Sequence, residues 1–337
     1  MSGNGAYGYA VARVRAMEPL LLDAPLYQRM MEADGLSSAL KILGETNYSR
    51  WMSGDDVRYD SVLEAELVSS FNEFVSFVPD RELIDIFRAP YDFHNVKVML
   101  KSVFKARSGG SMRYDLMTGL GAMNPDDLAS RIESEEYGLL PYGLPRIIPS
   151  CVSIWEQSGD IVEIERALDR GLFAAILALA EAVGADGVVK WASARIDSEN
   201  IRNLLRIRRF GFDSAEAVNF LHGGGAIAPS ALASLVGERF GGWGRVLGYS
   251  DVGLVISAIA EDDDDFDALI VTLERTLDDY CSSVLQEARY SSDAPENVLA
   301  FLWGKEMEVK NIRTILVSKG TKSSPDDVRR MMRRGYF

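Results

Sequence analysis

The chain is poor in the residues on which many enzymes and metal proteins depend. It has two cysteines, Cys151 and Cys281, and two histidines, His94 and His222, among 337 residues. Neither cysteine has a thiol or histidine nearby in sequence, so free buried thiols of a reducing compartment are expected ahead of a disulfide. Two isolated histidines offer no His-based metal site. The most apolar stretch, 172–180, runs into Glu181 and Asp186, well short of the ~20 residues needed to cross a bilayer. No continuous apolar segment of a secretory signal opens the chain. Positive charge is scarce, with 36 Lys and Arg against 50 Asp and Glu and a formal net charge of −14. Nucleic acid is excluded as a main partner, because binding a polyphosphate rests on neutralising it with Lys and Arg. Sustained apolar–polar alternation is also missing; 147–154 and 252–259 fit helix as well as strand.

What is present is helical periodicity. Residues 64–77, 161–183 and 266–288 carry apolar side chains at three- and four-residue spacing with few breakers. Gly, Pro, Ser and Asp gather at 107–111, 141–149, 223–229 and 261–265, which are the expected breaks.

One short string occurs three times: Asp92-Phe-His-Asn95-Val-Lys97-Val-Met99-Leu100, Asp197-Ser-Glu-Asn200-Ile-Arg202-Asn-Leu204-Leu205 and Glu308-Val-Lys-Asn311-Ile-Arg313-Thr-Ile315-Leu316. Such a pattern arises by chance on the order of once per million positions. The asparagines are 105 and 111 residues apart, a domain-like spacing. An upstream element, Leu63-Glu64 to Leu67, Ile164-Glu165 to Leu168 and Leu273-Glu274 to Leu277, precedes them by 31, 35 and 37 residues. Ala24-Pro25 and Ala228-Pro229 precede Leu43-Gly44 and Leu247-Gly248 at one offset of 204, and the middle copy shows only a fragment of this echo, ending at Tyr137 as the first ends at Tyr48.

On a helix the aliphatic positions of the signature form one stripe, with the Asn on one flank and the Lys or Arg on the other. The leading acid falls inside the stripe. It fits best at a helix N-terminus, where free N–H groups favour a carboxylate, with Pro90 as a first-turn proline. The Asn reads either as a buried hydrogen-bonder or as part of a socket for a partner used three times. Catalysis fits poorly, since an active site seldom needs three copies of one amide. The candidate residues are therefore Asp92, Asn95, Lys97, Asp197, Asn200, Arg202, Glu308, Asn311 and Arg313.

Several look-alikes carry less. Lys319 to Ser324 ends like a phosphate loop but lacks the leading glycine and follows a helix. Gly242-Trp-Gly244-Arg-Val-Leu-Gly248 misses dinucleotide spacing by one and has no strand before it. The acidic run 261–265 lacks the Gly and distal Glu of an EF-hand, so a solvated loop leading into a helix is expected. The clusters Arg202-Arg206-Arg208-Arg209 and Arg329-Arg330-Arg333-Arg334 read as attractors for an acidic protein face or anionic lipid. Their plainer readings are pairing with neighbouring acids for the first and a disordered tail for the second.

The N-terminal run Tyr9-Ala-Val-Ala-Arg13-Val-Arg15-Ala-Met-Glu18-Pro-Leu20-Leu21, then Tyr27, the segment 40–48, the three signatures and the ending Gly304-Lys305-Glu306-Met-Glu308-Val-Lys310-Asn311-Ile-Arg313 together resemble the C subunit of V-type and A-type rotary ATPases, over about residues 7–319. That family is the counterpart of the eukaryotic d subunit. The resemblance implies an all-α fold of three similar helical units around a pseudo-threefold axis, forming a funnel with a central cavity. The units would be 1–110, 111–215 and 216–337, the last carrying the basic tail. It implies a non-catalytic spacer of the central rotor that transmits torque between ATP turnover and H⁺ or Na⁺ transport. The implied partners are central-stalk subunits of the D and F type in the cavity and the membrane rotor ring of proteolipid subunits. The membrane stator is a further neighbour; no nucleic acid or small-molecule substrate is involved. No catalytic residue, metal ligand or cofactor is expected, and the location would be cytoplasmic, peripheral on the inner face of the membrane. The competing readings are a linear helical-repeat scaffold and a helical enzyme using Glu64, Glu165 and Glu274.

Overall fold

The computed structural model describes residues 6–54, 57–107, 109–259 and 265–336. Among them there is helix and no strand. The first third holds α1 (Gly8–Met17), α2 (Ala24–Glu32), α3 (Leu36–Leu43), α4 (Tyr59–Val75) and α5 (Glu82–Ala106). The middle holds α6 (Pro125–Glu133), α7 (Leu144–Ser158), α8 (Ile161–Val183) and α9 (Asp186–Arg208). The last third holds α10 (Ser214–Ala217), α11 (Pro229–Ala233), α12 (Phe240–Val246), α13 (Asp251–Ser257), α14 (Phe266–Val284), α15 (Pro295–Thr321) and α16 (Pro325–Met331).

The starts of α2, α6 and α11 share one local device. Asp23, Asn124 and Ala228 are their N-caps, each in extended backbone with Pro in the first helical turn, where its missing N–H costs nothing. The middle copy thus has the proline start that the Ala-Pro echo lacked, because Asn124 stands where the other two have Ala.

The chain forms two compact bodies. One combines Met1–Pro79, Ala185–Ser198 and Glu238–Phe337; the other combines Asp80–Gly184 and Glu199–Gly237. In the first, α15 is the central helix, packed on by α1, α2, α3, α4, α14 and α16. Nearly every residue from Asn297 to Val309 is buried. Ile312, Ile315 and Leu316 share a core with Met30, Leu43, Tyr48 and Leu63. In the second body, α5 lies along α8, and Val96, Met99 and Leu100 pack with Leu128, Ile148 and Leu168.

One expected break and one expected tail fall differently. The 141–149 stretch is mostly helix: Pro145 occupies the first turn of α7 and Pro149 its interior. The basic C-terminus is not a loose tail, since Arg334 N donates to Asp279 at 2.6 Å, Tyr336 Oη donates to Glu18 at 2.9 Å and Tyr336 is buried. Of the acidic run, 261–264 lie outside the described residues; Asp265 caps α14 through Ala268 N at 2.9 Å. The glycine look-alike is α12 itself. A Cβ on Gly244 would come within 2.6 Å of Ser257 Cα, so the glycine permits close helix–helix contact rather than phosphate approach. Lys319 is held by the carbonyls of Met31 and Ala33, and Ser324 caps α16, so that segment is a helix end and a helix start.

Candidate functional site: the Asn-centred joints

Each signature Asn makes the same contact. Asn95 Nδ2 donates to Thr118 O and Thr118 N donates back to Asn95 Oδ1, both at 2.9 Å. Asn200 does this with His222 at 2.8 and 2.7 Å. Asn311 does it with Arg333 at 3.0 and 2.9 Å. The clasped residue lies 23, 22 and 22 positions downstream. A carboxamide alone among short side chains offers a donor and an acceptor in one plane, so it pairs with a backbone residue as a neighbouring strand would. The three asparagines are at most 1% exposed. A buried Leu or Ile is worth about 1.5–3 kcal/mol and a net hydrogen bond about 1 kcal/mol. The aliphatic stripe therefore supplies most of the stability, and the Asn fixes where the following segment runs.

The acids sit in mid-helix, contrary to the helix-start expectation: α5 begins at Glu82, α9 at Asp186 and α15 at Pro295. Pro90 accordingly lies inside α5. Their carboxylates serve other helices' approaches instead of their own N-terminus. Asp92 accepts from Ala122 N at 2.9 Å and Met123 N at 3.1 Å, just before Asn124, the cap of α6. Gly121 makes room, since a Cβ there would stand 2.0 Å from Asp92 Oδ1. Glu308 accepts from Leu22 N at 2.6 Å, just before Asp23, the cap of α2. The acid of the first signature thus holds the segment that leads into α6, and the acid of the third holds the segment that leads into α2. Asp197 is buried as well.

The bases are placed less uniformly. Lys97 pairs with Asp169 of α8, Arg313 meets Asp60 of α4 at 3.1 Å in an exposed pair, and Arg202 approaches Glu199 of its own helix at 3.3 Å. Each signature helix touches another long helix: α5 packs on α8, α15 on α4, and α9 meets α14 through Ser198 Oγ and Cys281 Sγ at 3.5 Å.

Sequence reasoning missed a buried charge network around the third acid. Lys305 Nζ lies 2.7 Å from Glu308 Oε1 and 3.0 Å from Glu66 Oε1. Tyr48 Oη donates to Glu308 at 2.7 Å, and Arg50, Trp51 and Asn47 all donate to Glu66. Burial pushes the Glu66 carboxyl up, but Lys305 and the Trp51 and Arg50 donors together hold it below its ordinary value. Burial, then the Glu308 charge and hydrogen bond, drives the Tyr48 phenol well up. The available signal was the charged run Lys305-Glu306-Met-Glu308 in a helix too apolar around it to be a solvated face.

Burial raises Asp92 to about 6, against the pull of its two backbone N–H donors and Arg88. A carboxyl raised in the folded state contributes stability below its unfolded value, near 3.8, and loses it as pH rises through about 6. The difference in unfolding free energy between the native chain and Asp92→Asn should therefore fall by about 2 kcal/mol between pH 4 and 7. Denaturant titrations across that range check it; a flat difference contradicts it.

Glu165, one carboxylate of the enzyme alternative, is paired with Lys101. Among the described residues, no group of three or more His, Cys, Asp or Glu is placed to hold a metal ion, and no helix is long and apolar enough to cross a membrane.

Comparison with known proteins places this pattern. Residues 10–331 match the family model described as the ATP synthase (C/AC39) subunit. The chain is 27% identical to the C subunit of the V-type sodium ATPase of Enterococcus hirae, over 96% of this chain and 97% of that protein. It is 27% identical to the C subunit of the A-type ATP synthase of Haloferax volcanii, over 97% of each, and 23% identical to its counterpart in Methanocaldococcus jannaschii, over 97% of this chain and 86% of that protein. Helical throughout its described residues and matched over 10–331, the chain is a member of the ATP synthase (C/AC39) subunit family.

Proposed function

We propose that this chain is the non-catalytic spacer of a V/A-type rotary ATPase or ATP synthase. It joins the central stalk to the membrane rotor ring and transmits torque for ATP-coupled H⁺ or Na⁺ transport. Its three copies, 1–110, 111–215 and 216–337, form a funnel about a pseudo-threefold axis. The funnel's cavity takes the D- and F-type stalk subunits and its base rests on the proteolipid ring, near the membrane stator. It works as a peripheral protein on the cytoplasmic face.

One observation carries this reading: the acid of copy one holds copy two, and the acid of copy three returns to hold Leu22 at the start of copy one. A linear scaffold has no use for that return contact, whereas a closed ring of heterologous joints requires it. The signature residues Asp92, Asn95, Lys97, Asp197, Asn200, Arg202, Glu308, Asn311 and Arg313 act as these joints and shape the wall or its supports. Names of the relatives supply the complex.

Tagged chain should co-purify with the ATPase head, stalk and ring proteins. Arg313→Glu breaks only an exposed pair, worth about 0–1 kcal/mol, so the isolated fold should keep its melting temperature while recovery of the complex drops several-fold. Undiminished recovery with normal coupled activity rejects the placement.

A further inference from the structure

Two grooves outside the joints occupy equivalent positions in the second and third copies. On α15, Lys310, Arg313, Thr314 and Val317 recur at helical spacing and, with Met331 and the clasped Arg333, line a groove of about 500 Å³. On α9, Asn203 and Arg206, with Phe210 just past its end and the clasped His222, line a groove of about 230 Å³ that α8 borders. Counting from the signature asparagines, Asn203 corresponds to Thr314, Arg206 to Val317 and His222 to Arg333. The Asn clasp builds the same recess twice, by holding a downstream segment beside an open helix face.

Charge indicates the occupant. Acids outnumber bases 50 to 36 in the chain, yet the α15 groove is lined by three cations and no carboxylate. Two carboxylates answer those three: Asp278 takes Lys310 and Arg333 at 3.2 and 3.1 Å, and Asp60 takes Arg313. The Asp60 pair is exposed and weak enough to be exchanged for another acid. In the α9 groove, Asp169 and Glu165 are already engaged by Lys97 and Lys101. There His222 Nδ1 and Arg166 Nε are buried with no hydrogen-bond partner among the described residues, and His222 is only 5% exposed. A buried polar group without a partner costs about 1–3 kcal/mol, which an incoming carboxylate would recover at Arg166, whose other contact with an acid is Glu163 at 3.8 Å, and at the His222 tautomer that carries its proton on Nδ1. Val317 and Phe210 are 45% and 72% exposed, so each groove also offers apolar surface.

We propose that each groove receives an acidic amphipathic helix of a partner protein, its apolar face on Val317 or Phe210 and its carboxylates on Arg313 and Arg333 or on Arg166 and His222. This deepens the proposed function and rests on it, because the partner belongs to the same complex.

The test uses the assembled complex and the isolated chain. Val317→Cys and Phe210→Cys are labelled with a maleimide in both, against the buried native Cys151 and Cys281. At least tenfold slower labelling in the complex is expected at both positions. A photo-crosslinking residue at 317 or 210 should then join, by peptide mapping, to a helix of another protein of the complex with several Asp or Glu. Equal labelling rates overturn the proposal, as does a crosslink to lipid or to a segment without acids. Failure to co-purify at all would instead reject the proposed function, whereas co-purification with unprotected grooves rejects this inference alone.

Discussion

Lys305→Met should destabilise the folded chain by about 3–5 kcal/mol, because it strands buried carboxylates rather than deleting a surface charge. Glu66, Lys305 and Glu308 have side chains at most 4% exposed. Without the ammonium, Glu308 keeps Tyr48 and Leu22 N as its donors among the described residues, and Glu66 keeps Arg50, Trp51 and Asn47. Methionine fills most of the space, so the loss reports the charge and not a cavity. Adding Glu308→Gln to Lys305→Met should recover part of it. Urea unfolding of the single and double variants measures both. A loss under about 1 kcal/mol for the single variant, the range of an exposed pair, would mean that the network is not holding α15 to α4.

Asn200→Ala should cost about 2–4 kcal/mol, since it leaves the buried N–H and C=O of His222 unpaired, at about 1–3 kcal/mol each, with partial relief by water. Asn200→Asp should fare no better: it keeps the acceptor for His222 N but sets a buried carboxylate against His222 O. The diagnostic readout is the His222 amide, which should lose its hydrogen-exchange protection in Asn200→Ala while α8 stays protected. Retained protection would show that the 221–222 segment is held by packing alone.

How much of this could be read in the sequence depended on distance along the chain. Periodicity located α8 at Ile161–Val183 and began α14 at Phe266, because a helix buries one stripe and the stripe is local. The signature's aliphatics read as core for the same reason. Its Asn was legible as a hydrogen-bonder, but not its partner, since nothing marks residues 118, 222 and 333 as a common set. The acid was misread: Asp92 in an apolar stripe suggested a helix start, whereas its donors come from about 30 residues on, and Leu22 N reaches Glu308 from 286 residues back. Lys305 escaped notice because the 297–309 stretch of α15, buried on all sides, has no solvent face for its charges to betray. The C-terminal arginines read either as an attractor for an acidic face or lipid or as a tail; the tail reading fails, since Arg333 is fixed by Asn311 and Asp278.

The most direct test of the central claim is a cryo-EM map of the complex purified through this chain. One copy is expected on the rotor axis, with Leu22 closed against Glu308, the end of the central stalk inside a three-lobed cavity and the membrane ring beneath. A copy standing off the axis as part of the stator, or an open arc with Leu22 apart from Glu308, would contradict it.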